Sequence, residues 1–103
     1  MTQHDDRVYF LQMLDSALEA QGYLVDIDQE AFRSDLMRQR AVLYVIQIIG
    51  EAAKRVSPAG RSQIAEIPWS RVIGMRNKLV HDYGDVDIVE VWRTGTNDLP
   101  ILV

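Results

Sequence analysis

Arginine 76, asparagine 77, histidine 81 and tyrosine 83 fall within one stretch, RNKLVHDY, that has helical periodicity. Arginine cannot shed its proton to escape an apolar setting. Arg76, on a stripe with Trp69, Ile73, Val80 and Tyr83, therefore demands an anion. That anion is either an intramolecular carboxylate, with Glu51 the best placed, or a phosphate brought by a ligand. A guanidinium fork grips phosphate through two nitrogens and stabilises charge on a phosphorane-like transition state. Imidazole is the side chain best matched to moving protons near neutral pH. Together Arg76 and His81 suit attack by a ribose 2′-hydroxyl on its own phosphodiester, with no metal and no cofactor. Tyr83, two turns from Arg76, either contacts the same ligand or packs in the core.

Helix geometry constrains this pairing. Five residues at about 100° each turn His81 about 140° away from Arg76, so one straight helix points them in different directions. Either the helix loosens before His81, or two copies meet across a two-fold axis and each lends groups to a shared cleft. The second arrangement also accounts for a central helix that is apolar around most of its circumference.

The elements that must hold these residues are helical. Val8, Leu11, Leu14 and Leu18 mark an amphipathic helix from Asp5 to about Gln21, with Gly22 placed to stop it. Asp28 reads as the N-cap of a second helix that runs to Ser57 and bends near Ser34 and Asp35. Its core segment carries two stripes, Leu43/Ile46/Ile49/Ala53 and Val42/Val45/Ile49/Ala52/Val56. Gly50 interrupts it, marking either close approach by another backbone or a kink. Ser57-Pro58 is a helix start, opening a short segment through Glu66. Pro68 opens the motif helix, which Gly84 ends. A last helix begins at Val86 or Asp87, with Ile88, Val91 and Trp92 inward and Gly95 and Pro100 weakening its end. With no hairpin signal and short connections, the fold class is all-α, an up-and-down antiparallel bundle of four to five helices forming a single domain over 1–103.

Composition narrows the function classes. The absence of cysteine excludes disulfides and thiolate metal sites and fits a reducing cytoplasm. The two histidines, without clustered carboxylate spacing, give a metal or haem bundle little to work with. No apolar run approaches the length needed to span a bilayer, and the first residues lack a targeting pattern. The net charge of −4 hides an uneven distribution. Residues 1–32 sum to −6, 33–81 to +6 and 82–103 to −4. Two basic middle segments brought together would hold a polyanion although the whole chain is acidic, with Arg38, Arg40, Arg71 and Lys78 as wall residues.

The spacing from Arg76-Asn77 to His81 and Tyr83, together with IIGEAAKRVS (48–57), IPWSRVIGMRN (67–77) and VDIVEVW (86–92), resembles the HEPN superfamily. Within it, the likeness is to the HepT-like toxins that pair with an MNT-type nucleotidyltransferase antitoxin. The resemblance implies an all-α bundle and a homodimer with the motif at its interface. It also implies metal-independent RNA cleavage by Arg76 and His81, with Asn77 positioning the phosphate or the histidine. By the same likeness the antitoxin transfers AMP from ATP to Tyr83, adding bulk and negative charge where RNA should sit. A different class of function stays open beside it: a non-catalytic all-α dimer that holds a nucleotide or the nucleotidyltransferase partner.

Overall fold

A computed structural model describes the backbone of residues 5–81 and 88–102, and the side chains of 5–78 and 88–102. Six helices are described: α1 (Asp6–Leu24), α2 (Gln29–Arg33), α3 (Leu36–Arg55), α4 (Pro58–Gln63), α5 (Trp69–His81) and α6 (Ile88–Arg93). The described residues contain no strand.

The central helix is α3, and both stripes expected of it are buried. Val42, Val45, Ile46, Ile49 and Ala53 are almost wholly out of water, so α3 is covered on several sides by α1, α5 and α6. It does not continue back to Asp28 as one bent helix. The Asp28 carboxylate accepts from the Ala31 N–H and caps α2, and the Asp35 carboxylate accepts from the Arg38 N–H and starts α3 afresh. Aspartate and serine at 34–35 offer the backbone a competing set of hydrogen bonds, and here that set divides one apolar pattern into two helices. The Gln39 amide ties the pieces together by donating to the Phe32 and Arg33 carbonyls at 2.9 Å.

Hydrogen bonds at both ends fix α1 antiparallel to α3. At one end the Asp6 carboxylate accepts from the Ser57 N–H at 3.0 Å and from its hydroxyl at 2.5 Å, just past the end of α3. Ser57 meanwhile caps α4 through the Gly60 N–H, and a Cβ at 60 would collide with Asp6. At the other end Arg38 donates to the Tyr23 carbonyl.

The face that α1 buries is not the expected one. Met13, Ser16, Ala17 and Ala20 point inward, while Val8, Leu11 and Leu18 are 50%, 59% and 46% exposed. Small side chains at 16, 17 and 20 let the α1 backbone lie close to α3, and packing of this kind prevails over the larger leucines a turn away. Nor does Gly22 stop the helix, which passes through it to Leu24. The chain turns only beyond Val25, at Asp26, whose φ of 56° is left-handed.

Helix α4 ends at Gln63, three residues short of the expected Glu66. Arg61 on α4 donates to the Ala53 and Lys54 carbonyls, satisfying the end of α3, and lies over the Trp69 ring. The start of α5 is thereby set beside the end of α3, and α5 runs back along it. Val72 and Met75 form the centre of its buried face, with Trp69, Ile73 and Arg76 at the margins. Val80 and Tyr83, placed on the same stripe by periodicity, lie outside the residues whose side chains are described.

The final segment keeps Val91 fully buried and sets Trp92 against Phe32, ring centroids 5.3 Å apart. Beyond Arg93 it widens into a π-helical turn over Thr94–Asp98 and tightens to a 3-10 turn over Leu99–Leu102. Thr94 and Thr96 hydroxyls donate to the carbonyls four residues back, at 2.9 and 2.8 Å, and loosen the ladder there. Gly95 rests on Leu24 and Val42, and Leu102 packs near Phe10. This segment therefore runs antiparallel to α1 and completes an up-and-down bundle.

Candidate active site

The motif helix meets the central helix at a notch. Gly50 faces α5 where no side chain fits. A Cβ there would meet the Arg76 Cβ and Cγ, the latter at 2.8 Å, and the Val72 carbonyl oxygen at 3.1 Å. Of the two readings of Gly50, close approach is the one observed, and α3 runs through it as one continuous helix. The stem of Arg76 occupies the space that the glycine leaves.

The guanidinium that emerges from this notch is held at two ends. Nη2 lies 2.6 Å from Glu51 Oε2, and Nη1 donates to Asn77 Oδ1 at 3.1 Å. Its Nε is buried with no hydrogen-bond partner among the described residues. The arginine side chain is 19% exposed and the glutamate 43%, so Arg76 is the recessed member and Glu51 reaches water. Glu51 also lies 3.4 Å from Arg55, placing one carboxylate between two guanidiniums. With its stem held in the notch, Arg76 presents a partly desolvated guanidinium beside Glu51, where a charge-assisted hydrogen bond is stronger than in open water.

The other motif positions are placed unequally. Asn77 touches the arginine directly. The backbone of α5 continues without a break through His81, so positions 76 and 81 are separated by about 140° around one axis. The His81 side chain and all of Tyr83 lie outside the described residues. Of the basic wall residues, Arg71 and Lys78 share a face of α5, seven residues apart, and both are exposed. Arg71 also donates to Asp98 at 2.8 Å, a carboxylate only 7% exposed, so it has a structural partner that the sequence did not disclose. Arg38 and Arg40 are not brought to Arg76. They sit in the first turns of α3, about 16 to 20 Å along its axis from Glu51, and Arg38 is paired with Asp35 at 3.1 Å.

A second surface adjoins this one and was not anticipated. Gln12 of α1 and Tyr44, Gln47, Ile48 and Glu51 of α3 line an open cleft of about 430 Å³. The available signal was the spacing 44, 47, 48, 51, which puts four side chains on one face of a helix. It was hidden because that helix is apolar on its other faces and reads as wholly interior.

An all-α bundle that carries arginine, asparagine and histidine along one helix agrees with the fold implied by the resemblance to the HEPN superfamily. Comparison with known proteins makes this specific. Residues 13–103 match the family model described as "Ribonuclease HepT-like", and the chain belongs to that family. Among similar proteins are "Probable ribonuclease HepT" of Thermococcus cleftensis, 35% identical over 90% of this chain and 86% of that one, and "Putative RNase MJ1380" of Methanocaldococcus jannaschii, 30% identical over 97% and 92%. "Putative RNase TTE0752" of Caldanaerobacter subterraneus is 36% identical over 74% and 68%. No solved structure matches the chain. Among the described residues no helix is long and apolar enough to cross a membrane.

Proposed function

We propose that the protein is a metal-independent endoribonuclease toxin of a HEPN/MNT toxin–antitoxin pair, acting as a homodimer whose motif faces share one cleft. The observation that carries this is the recessed Arg76 guanidinium, aimed by Glu51 and Asn77 on a helix that runs straight on to His81. Because α5 stays helical through position 81, positions 76 and 81 lie about 140° apart around its axis, which favours the shared cleft over a site within one chain. In the reaction, His81 takes the proton of a ribose 2′-hydroxyl as its oxygen attacks the adjacent phosphorus. Arg76 neutralises the charge that builds on the phosphoryl oxygens. The bond to the 5′-oxygen breaks, and protonated histidine returns a proton to that leaving oxygen, giving a 2′,3′-cyclic phosphate and a 5′-hydroxyl. Arg71 and Lys78, exposed together on α5, extend positive charge along the bound strand. AMP transferred by the nucleotidyltransferase antitoxin to Tyr83 would place a phosphate and a nucleoside in the same cleft and exclude RNA.

The test is incubation of the purified protein with RNA in chelator, alone and after treatment with its nucleotidyltransferase partner and ATP, followed by mass measurement. Cleavage in chelator that stops when Tyr83 gains AMP supports the proposal; intact RNA, or cleavage restored only by added metal, overturns it. The Glu51–Arg76 ion pair also favours a second reading, a non-catalytic dimeric module in which the arginine is purely structural. Binding of RNA or nucleotide without turnover would identify it.

A further inference from the structure

We propose that the cleft between α1 and α3, formed by Gln12, Tyr44, Gln47 and Ile48, is a nucleobase subsite that receives a base of the RNA strand whose phosphate Arg76 grips. This rests on the ribonuclease reading above and adds to it where the strand lies and what recognises its bases.

Continuity comes first. Glu51 forms one wall of the cleft and is also the carboxylate 2.6 Å from Arg76, so the cleft opens directly beside the proposed phosphate grip. Tyr44 is seven residues from Glu51 on the same face of α3, about 10 Å along the axis, a span suited to a nucleotide adjoining the held phosphate. The chemistry of the lining comes second. Tyr44 is 57% exposed, unusual for an aromatic ring, and presents a face on which a base can stack. Ile48 supplies apolar contact at the floor. Gln12 and Gln47 carry amides, each with donors and an acceptor that match the Watson–Crick edges of an unpaired base. Both amides and the Tyr44 ring are exposed, and neither amide nor the Tyr44 hydroxyl takes a side-chain hydrogen bond among the described residues, so all three are open to a ligand. An aromatic face flanked by free amides, beside a fixed cation, is how single-stranded RNA is read, and a lone carboxylate in the wall keeps the phosphate on the Arg76 side.

The experiment measures binding separately from cutting. His81→Ala protein is titrated with fluorescein-labelled single-stranded homopolymers of A, C, G and U, and with a ribose-phosphate oligomer lacking bases. Adding Tyr44→Ala to it should weaken binding of the base-bearing oligomers about 5- to 150-fold, the range of one lost base stack, and leave the baseless oligomer unchanged. Tyr44→Trp should restore affinity, and Gln47→Ala should change the ranking of the four homopolymers. Equal loss on the baseless oligomer, no loss on any oligomer, or a dimer that dissociates in Tyr44→Ala each overturns the subsite. Intact binding discrimination in a wild-type protein that cuts no RNA would sink the ribonuclease reading while leaving the subsite standing. Cleavage by a Tyr44→Ala enzyme at the wild-type rate on every base would do the reverse.

Discussion

Replacing Gly50 with alanine tests the notch that aims Arg76. The added Cβ would sit 2.8 Å from the Arg76 Cγ and nearer still to its Cβ, with the Val72 carbonyl oxygen at 3.1 Å. Ordinary carbon contacts begin at about 3.5 Å, so the Cγ contact alone demands a retreat of α5 by about 0.7 Å and the nearer Cβ demands more. Its obstacle is helix backbone and the root of a side chain, neither of which can swing aside. The same retreat lengthens the 2.6 Å contact to Glu51 past 3 Å unless the guanidinium re-aims. Overpacking of this kind costs about 1–3 kcal/mol, while alanine in a helix interior gains about 1 kcal/mol, so a net loss of up to about 2 kcal/mol is expected. Gly22 supplies the control: a Cβ there meets nothing within 4 Å, and Gly22→Ala should stabilise by about 0.5–1 kcal/mol. Urea titrations of the two variants should therefore move in opposite directions. Because misplacing a reacting group by about 1 Å can cost about 100-fold, RNA cleavage by Gly50→Ala should fall by one to two orders of magnitude. A Gly50→Ala protein that is as stable as Gly22→Ala and cuts RNA at the wild-type rate would refute the close approach and the aiming it provides.

Other perturbations have defined outcomes. Ser57→Ala removes the cap of α4 and the hydroxyl's hydrogen bond to Asp6 while leaving the one from the backbone N–H, and urea unfolding should show a loss of about 1–2 kcal/mol. In Arg71→Ala the buried Asp98 carboxylate loses its guanidinium; with Arg71 itself 68% exposed, water softens the loss to about 1–2 kcal/mol, and Arg71→Lys should recover part of it in the same titration. Glu51→Ala should lower RNA cleavage more than Glu51→Gln, since the amide oxygen of glutamine can still accept from Arg76; equal losses in steady-state cleavage would show that charge rather than orientation matters.

How far the sequence disclosed this molecule depended on which force decided each element. The stripes of α3 were legible because large apolar residues repeat on several faces, and burial follows. Ser57-Pro58 and Asp28 were legible because caps are local chemistry. The inward face of α1 was misjudged because close helix packing selected Ala17 and Ala20 over Leu11 and Leu18, a choice made by the partner helix rather than by hydrophobicity. The division between α2 and α3 was underestimated as a bend, since the capping strength of Asp35 has to be weighed against an unbroken apolar pattern. At the site, the need of Arg76 for an anion was readable from its position, and Glu51 was among the partners that need named. The role of Gly50 was not resolved by sequence, because a kink and a notch both select glycine. The π-helical turn and the Arg71–Asp98 pair arise from tertiary placement of the last segment and left no periodic trace.

Subunit complementation tests the proposed shared RNA-cutting site most directly. Arg76→Ala and His81→Ala proteins are each assayed on RNA, then unfolded together, refolded as a mixture and assayed again. If Arg76 of one protomer works with His81 of its partner, each mixed dimer holds one intact combination, and random pairing should restore about one quarter of the wild-type rate from two inactive proteins. A mixture that forms mixed dimers yet stays as inactive as its components would contradict the shared cleft.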